Sequence, residues 1–311
     1  MRSPVFMTIV CATHFTESSG DALAVGVALA RKTGQPLWLA SVTRGVSFNP
    51  SFGPPAAERA TDTTLHVEAD ALRKEGLTVE VAVLHGRFDR AVRRLCDDVS
   101  AGLVVLGDTR HSAPSFSSTP ADRLAASVNA PVLVVRDRRP FEAWASGRGP
   151  LRVLFALDHT WRAEVARSWL KRLASYGALD LLAVHVWTRD DERAKKHSTP
   201  DDLEVLLQAE TAAVLSDLPP NCVARAELAH APGDVAQVLS RLADEAGITL
   251  IAMGTHGPKG FFGRLRSVAH EVLTTSHASV VLVPDREHPT QPLDRMTPSS
   301  PRTAQRMFRE Q

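Results

Sequence analysis

Ten short apolar runs punctuate the chain. They fall at 7–13, 36–43, 79–84, 102–107 and 131–135, then at 151–157, 179–187, 223–228, 248–253 and 279–283. Several are continuous rather than alternating, as in "LVVLG" (Leu103 to Gly107) and "VLFAL" (Val153 to Leu157). Runs apolar on both faces fit strands of a parallel sheet covered by helices. Longer stretches of helical period lie between them. "DALAVGVALARKTG" (Asp21 to Gly34) opens with an acid, carries an apolar stripe, and closes on Arg31, Lys32 and Gly34. "FDRAVRRLCDDVSAG" (Phe88 to Gly102), "RAEVARSWLKRLASYG" (Arg162 to Gly177) and "PGDVAQVLSRLADEAG" (Pro232 to Gly247) follow the same scheme. This alternation predicts an α/β protein with doubly wound parallel sheets.

The pattern occurs twice. "MTIVCATH" at Met7 resembles "LRVLFALDH" at Leu151, and "AVLHGRFDRAVRRL" at Ala82 resembles "AELAHAPGDVAQVL" at Ala226. "GLVVLGDTR" at Gly102 resembles "ITLIAMGTHG" at Ile248, and "APVLVVRD" at Ala130 resembles "ASVVLVPD" at Ala278. Gly86 and Gly107 match Gly233 and Gly254 at one offset of 147 (233 − 86 and 254 − 107). Register held across separate blocks predicts duplication. The expected organisation is two α/β domains, 1–138 and 151–286. A polar linker with Gly and Pro joins them at 139–150, and a tail rich in Pro, Ser and charge follows at 287–311.

Composition narrows the function classes. A net charge of +1 gives no bulk attraction to nucleic acid or membrane. No apolar run reaches the roughly 20 residues of a membrane span. The N-terminal stretch lacks the apolar core and cleavage site of a secretory signal. Three scattered cysteines, Cys11, Cys96 and Cys222, make no disulfide framework, so a cytoplasmic location is expected. His185, His230, His256, His270 and His277 lack metal-ligand spacing and read as surface or cleft histidines.

Open parallel sheets bind ligands beyond the carboxyl ends of their strands. In the second half, Asp158 closes the first run, His185 and Val186 stand near the end of the next, and Gly254-x-x-Gly257 closes the fourth. Glycines there let backbone amides approach an anion. Ser267 is placed to cap the helix that follows, whose free N–H groups attract phosphate. Lys259, Arg264 and Arg266 put three cations on the intervening loop, which suits a triphosphate. Singly, each has a plain reading as a turn, a cap or a solvated charge. Their joint placement favours a nucleotide. Neither a Walker loop nor G-x-G-x-x-G after the first strand is present, so a dinucleotide is not expected.

The stretch "AMGTHGPKGFFGRLRSVAHEVLTTSHASVVLVP" (Ala252 to Pro284) resembles the closing motif of the universal stress protein family: G-x2-G, a spacer, G-[ST], a helix and a Val-rich strand. The resemblance extends over both halves, which implies a tandem member. It implies a Rossmann-like, adenine nucleotide α-hydrolase-like sheet in each domain, with the domains packed side by side as a pseudo-dimer. Some members bind ATP and others do not. Carried over residue by residue, Ala156 joins the cofactor-binding set and Asp158 sits by adenine and ribose. Val186 bonds adenine through its backbone. Met253, Gly254 and Gly257 line ribose and phosphates, and Ser267 with the amide of Val268 holds phosphate. One departure is Arg266, which falls on the family's second glycine in a loop one residue shorter. It either grips phosphate or fills the space, while Gly260 and Gly263 supply backbone freedom. The first half departs further: Thr13 replaces Asp158, Arg110 replaces Gly257, and its loop "HSAPSFSSTPADRL" lacks glycine.

The expectation is therefore ATP, with Mg2+ bridging its phosphates, in the second half only. No general base stands out, so a nucleotide-dependent sensor or regulator of stress response is expected rather than an efficient enzyme. The alternative is a nucleotide-free interaction or chaperone-like module. Expected partners are an adenine nucleotide and a protein of unknown identity. The halves pair within one chain, and two chains can assemble further into a homodimer.

Overall fold

The computed structural model describes residues 8–13, 17–43, 56–108, 119–158, 161–188, 205, 209, 215, 218–231, 234–255 and 268–285. Ten strands form within them: β1 Ile9–Ala12, β2 Leu37–Thr43, β3 Val79–His85, β4 Leu103–Gly107, β5 Val132–Val135, β6 Leu151–Leu157, β7 Leu179–Thr188, β8 Cys222–Ala231, β9 Leu250–Thr255 and β10 Ser279–Pro284. Each coincides with one of the apolar runs. They join into a single sheet of order β3-β2-β1-β4-β5-β10-β9-β6-β7-β8. Pairing is parallel inside each half and antiparallel only at β5–β10, where Leu133 lies opposite Val281. The order reverses beside β1 in one half and beside β6 in the other, which puts a ligand crevice at those strands' carboxyl ends.

The described helices are α1 Glu17–Thr33, α2 Ala56–Lys74, α3 Phe88–Asp98, α4 Pro120–Ala125, α5 Arg139–Ala145, α6 Trp161–Ala174, α7 Val235–Glu245 and α8 Val268–Thr275. Strand residues alternate between two apolar layers because successive side chains point to opposite faces. Ile9, Cys11, Val153 and Phe155 meet α1, α2, α5 and α6 on one face. Val10, Ala12, Leu154 and Met253 meet α3, α4, α7 and α8 on the other. Among its described side chains, helix α2 fully buries Leu65 and Ala69 alone, so its apolar stripe is faint in the sequence.

The segment read as a polar linker holds a packed helix. Asp137 Oδ1 accepts the Arg139 amide at 2.9 Å at the start of α5. The Arg139 guanidinium holds the Asp137 carboxyl below its ordinary range. Phe141 and Trp144 are 2% and 1% exposed. A Cβ added to Gly177 would meet Trp144 Nε1 at 2.6 Å, so a glycine after α6 makes room for the indole. Two aromatics among polar neighbours give little periodic signal, yet they seat α5 against α1 and the second half.

Candidate functional site

The carboxyl end of β6 carries Ala156, Leu157 and then Asp158, whose side chain is exposed. Strand β7 continues past this point, and Val186 pairs with Ala229 of β8 beyond the end of β6. Ala156, Val186, Met253 and Val268 fall in the same apolar layer, on the face covered by α7 and α8. Four of the expected residues thus lie on one face of the sheet. Val268 is the first residue of α8, whose Val272 and Leu273 anchor it in that layer and whose Thr275 hydroxyl bonds Ser240 of α7 at 3.0 Å. Gly257, Lys259, Gly260, Gly263, Arg264, Arg266 and Ser267 lie outside the described residues.

Gly254 alternates to the opposite face and meets the first turn of α6. A Cβ there would stand 2.2 Å from the carbonyl oxygen of Arg162 and 2.5 Å from its carbon. Gly254 does not adopt positive φ. Its need for glycine comes from close approach of the helix backbone, a packing role in addition to any contact with a ligand.

Sequence reasoning missed Thr255 at this edge and took His185 there for a surface or cleft histidine. His185 is 4% exposed rather than a surface or cleft residue. Its Nδ1 donates to the Leu157 carbonyl at 2.9 Å. That bond ties the end of β6 to β7 and fixes the peptide that leads into Asp158. In the first half Ala40 holds the corresponding register position, opposite Ala12. Thr255 is 7% exposed, and its Oγ1 has no hydrogen-bond partner among the described residues. It follows Gly254 on the side of Met253, where a buried hydroxyl calls for an acceptor or donor.

The equivalent edge of the first half is closed differently. Thr119 and Asp122 form a capping box at α4. Asp122 Oδ2 accepts the Thr119 amide and hydroxyl, each at 2.7 Å, and Asp122 N donates to Thr119 Oγ1 at 3.1 Å. Pro120 removes a further N–H at the first helical position. An internal carboxylate therefore occupies the place where an external anion would dock. The signal was legible: "TPAD" has the [ST]-x-x-[DE] form of a capping box, and its counterpart "SVAH" does not. Thr13, at the position of Asp158, is buried and donates its amide to Ala40 O at 2.8 Å. A cavity of about 500 Å3 opens in this half, along α1 between α2 and α5, and Thr13, Glu68 and Arg138 are among its lining residues.

No described helix is long and apolar enough to cross a membrane. The profile of the universal stress protein family matches residues 6–136 and 151–284. No curated protein matches in sequence. Among solved structures, a universal stress protein from Archaeoglobus fulgidus DSM 4304 is similar with a TM-score of 0.64 at 16% identity, over 88% of this chain and 97% of that one. A protein of unknown function from Pseudomonas aeruginosa PAO1 is similar with a TM-score of 0.61 at 16% identity, over 90% and 93%. With both halves matched by one profile and carrying one topology, the chain belongs to the universal stress protein family as a tandem member.

Proposed function

We propose that this chain binds one adenine nucleotide, ATP with Mg2+, at the edge formed by β6, β7, β9 and α8, and that occupancy regulates its action in stress response. The observation that carries this reading is the contrast between the two repeats. The first half closes its helix N-terminus with its own Asp122 carboxylate. At the matching position the second half has His270, which offers no acid to the cap. The second half also keeps an exposed Asp158 and a buried hydroxyl on Thr255. The first turn of a helix, whose N–H groups point outward, next to a carboxylate suited to ribose hydroxyls, fits a nucleotide. Ser267 and the Val268 amide would hold phosphate, with Gly257, Gly263, Lys259, Arg264 and Arg266 around it. Mg2+ would neutralise charge between phosphate oxygens.

Mass spectrometry of the denatured, purified protein tests this reading. The expected result is a co-purified adenine nucleotide, together with an ATP-dependent rise in melting temperature that Asp158→Ala reduces. A nucleotide-free protein that ATP does not stabilise would refute it and leave an interaction module as the function.

A further inference from the structure

The two repeats meet around a pseudo-two-fold axis whose position follows from the strand register. Leu133 lies opposite Val281 in the β5–β10 pair. Leu133 pairs with Val105 of β4, and Val281 pairs with Ala252 of β9, so the two occupy the same place in their repeats. They are 148 positions apart (281 − 133). A residue opposite its own counterpart lies on the axis. Helices α4 and α8 begin at Pro120 and Val268, again 148 apart (268 − 120). Asp122 and His270 hold the same offset (270 − 122) and are therefore counterparts. They touch: His270 Nδ1 donates to Asp122 Oδ2 at 2.9 Å, with the Asp122 side chain 2% exposed.

On such an axis, one half docked to a second copy of itself would face its own residues. Two first halves would set the buried Asp122 against Asp122. Two second halves would set His270 against His270, neither supplying the carboxylate. The observed pair has an acceptor from one half and a donor from the other. A second asymmetry lies beside it. Arg136 donates its backbone N–H to Ser279 Oγ at 3.0 Å and its guanidinium to the Leu273 carbonyl, both across the seam. Its counterpart is Pro284 (284 − 136 is 148), which has no N–H and no donor side chain. These crossing bonds run in one direction only.

We infer that Asp122 and His270 key the seam between the repeats, so that the closing edge of each half fits the unlike half and rejects a copy of itself. The partner of this surface is the other half of the chain. Self-association of whole chains must then use a different face. Asp122 and His270 also carry the contrast on which the nucleotide reading rests, but the contact between them involves no ligand, so the melts are read without added nucleotide. Complementary groups on a diverged interface discriminate through the mismatch they impose on wrong pairs.

Thermal unfolding of four full-length chains tests it: wild type, Asp122→Asn, His270→Asp and the double variant. Asp122→Asn alone should lower the melting midpoint, since Thr119 and His270 both lose a charged acceptor. His270→Asp should lower it by placing two carboxylates together, a loss offset in part by the capping box that the new acid completes with Ser267. In the His270→Asp background, Asp122→Asn should instead raise the midpoint, because an amide donor then faces the new carboxylate. That reversal of sign is a coupling that independent structural roles would not give. Should His270→Asp not fold, His270→Ala replaces it, and Asp122→Asn should then cost less than in wild type. An equal loss from Asp122→Asn in both backgrounds would overturn the proposal.

Discussion

The cysteines illustrate what burial does to a single side chain. Cys11 lies in the layer under α1, and desolvation, with Glu68 nearby, pushes its thiol up to about 12. Burial also raises Cys96 to about 12, with Asp97 adding to the effect. An unfolded thiol ionises at about pH 8.5. Between that pH and about 12 the folded chain keeps two protons that the unfolded chain gives up, so stability falls as pH rises through the window. Each thiol contributes up to about 1.4 kcal/mol per pH unit there. Melting temperatures measured from pH 8 upward should drop with a steeper slope in wild type than in a Cys11→Ala/Cys96→Ala variant. Parallel slopes would show that these thiols do not titrate on unfolding. His185 makes the same point for hydrogen bonding: its bond to Leu157 O belongs to the fold before it belongs to any ligand.

At the scale of elements, the contact that shapes the candidate site is that of β9 with α6. With Arg162 O only 2.2 Å from the place of a Cβ, Gly254→Ala forces the helix away from the sheet or bends the strand. Overpacking of this kind costs about 1–3 kcal/mol, and backbone atoms yield less than side chains do. Calorimetry should find a clearly lowered melting point for Gly254→Ala without nucleotide present. A variant within one degree of wild type would remove the packing role and leave ligand contact as the reason for the glycine. The start of α4 shows the opposite use of a helix terminus. Thr119 and Asp122 satisfy it internally, and Pro120 lowers the number of donors that need a partner.

At the scale of the molecule, the two halves share a topology and differ at their carboxyl edges. The Asp122 cap and buried Thr13 close one edge, while Asp158 stays exposed at the other. On the proposed reading, calorimetric titration should give one nucleotide per chain, and two would refute the restriction of binding to the second half. The antiparallel β5–β10 pair makes one ten-stranded sheet from two parallel sheets, so the seam is main-chain hydrogen bonding reinforced by Asp122, His270 and Arg136.

Much of this was legible in order along the chain. The apolar runs specify the inner strands because a strand buried on both faces must be apolar throughout, whereas the edge strands β3 and β8 are mostly half-buried or exposed and show in the sequence as mixed runs. The repeat follows from register, and the position of Asp158 and Gly254 at strand ends follows from where those runs stop. Helix α5 was hidden because Phe141 and Trp144 are two aromatics in a polar segment, and their burial depends on α1 and Gly177. The contact of Asp122 with His270 spans 148 residues and exists only once β5 lies against β10. Local pattern by itself determined which segments are strands, that they come in two sets, and where a ligand edge could lie, because each depends on neighbours in sequence. Only the tertiary structure decided how the sets join, which carboxylate His270 meets across the seam, and why Gly254 has no room for a side chain, because each depends on atoms brought together from distant parts of the chain.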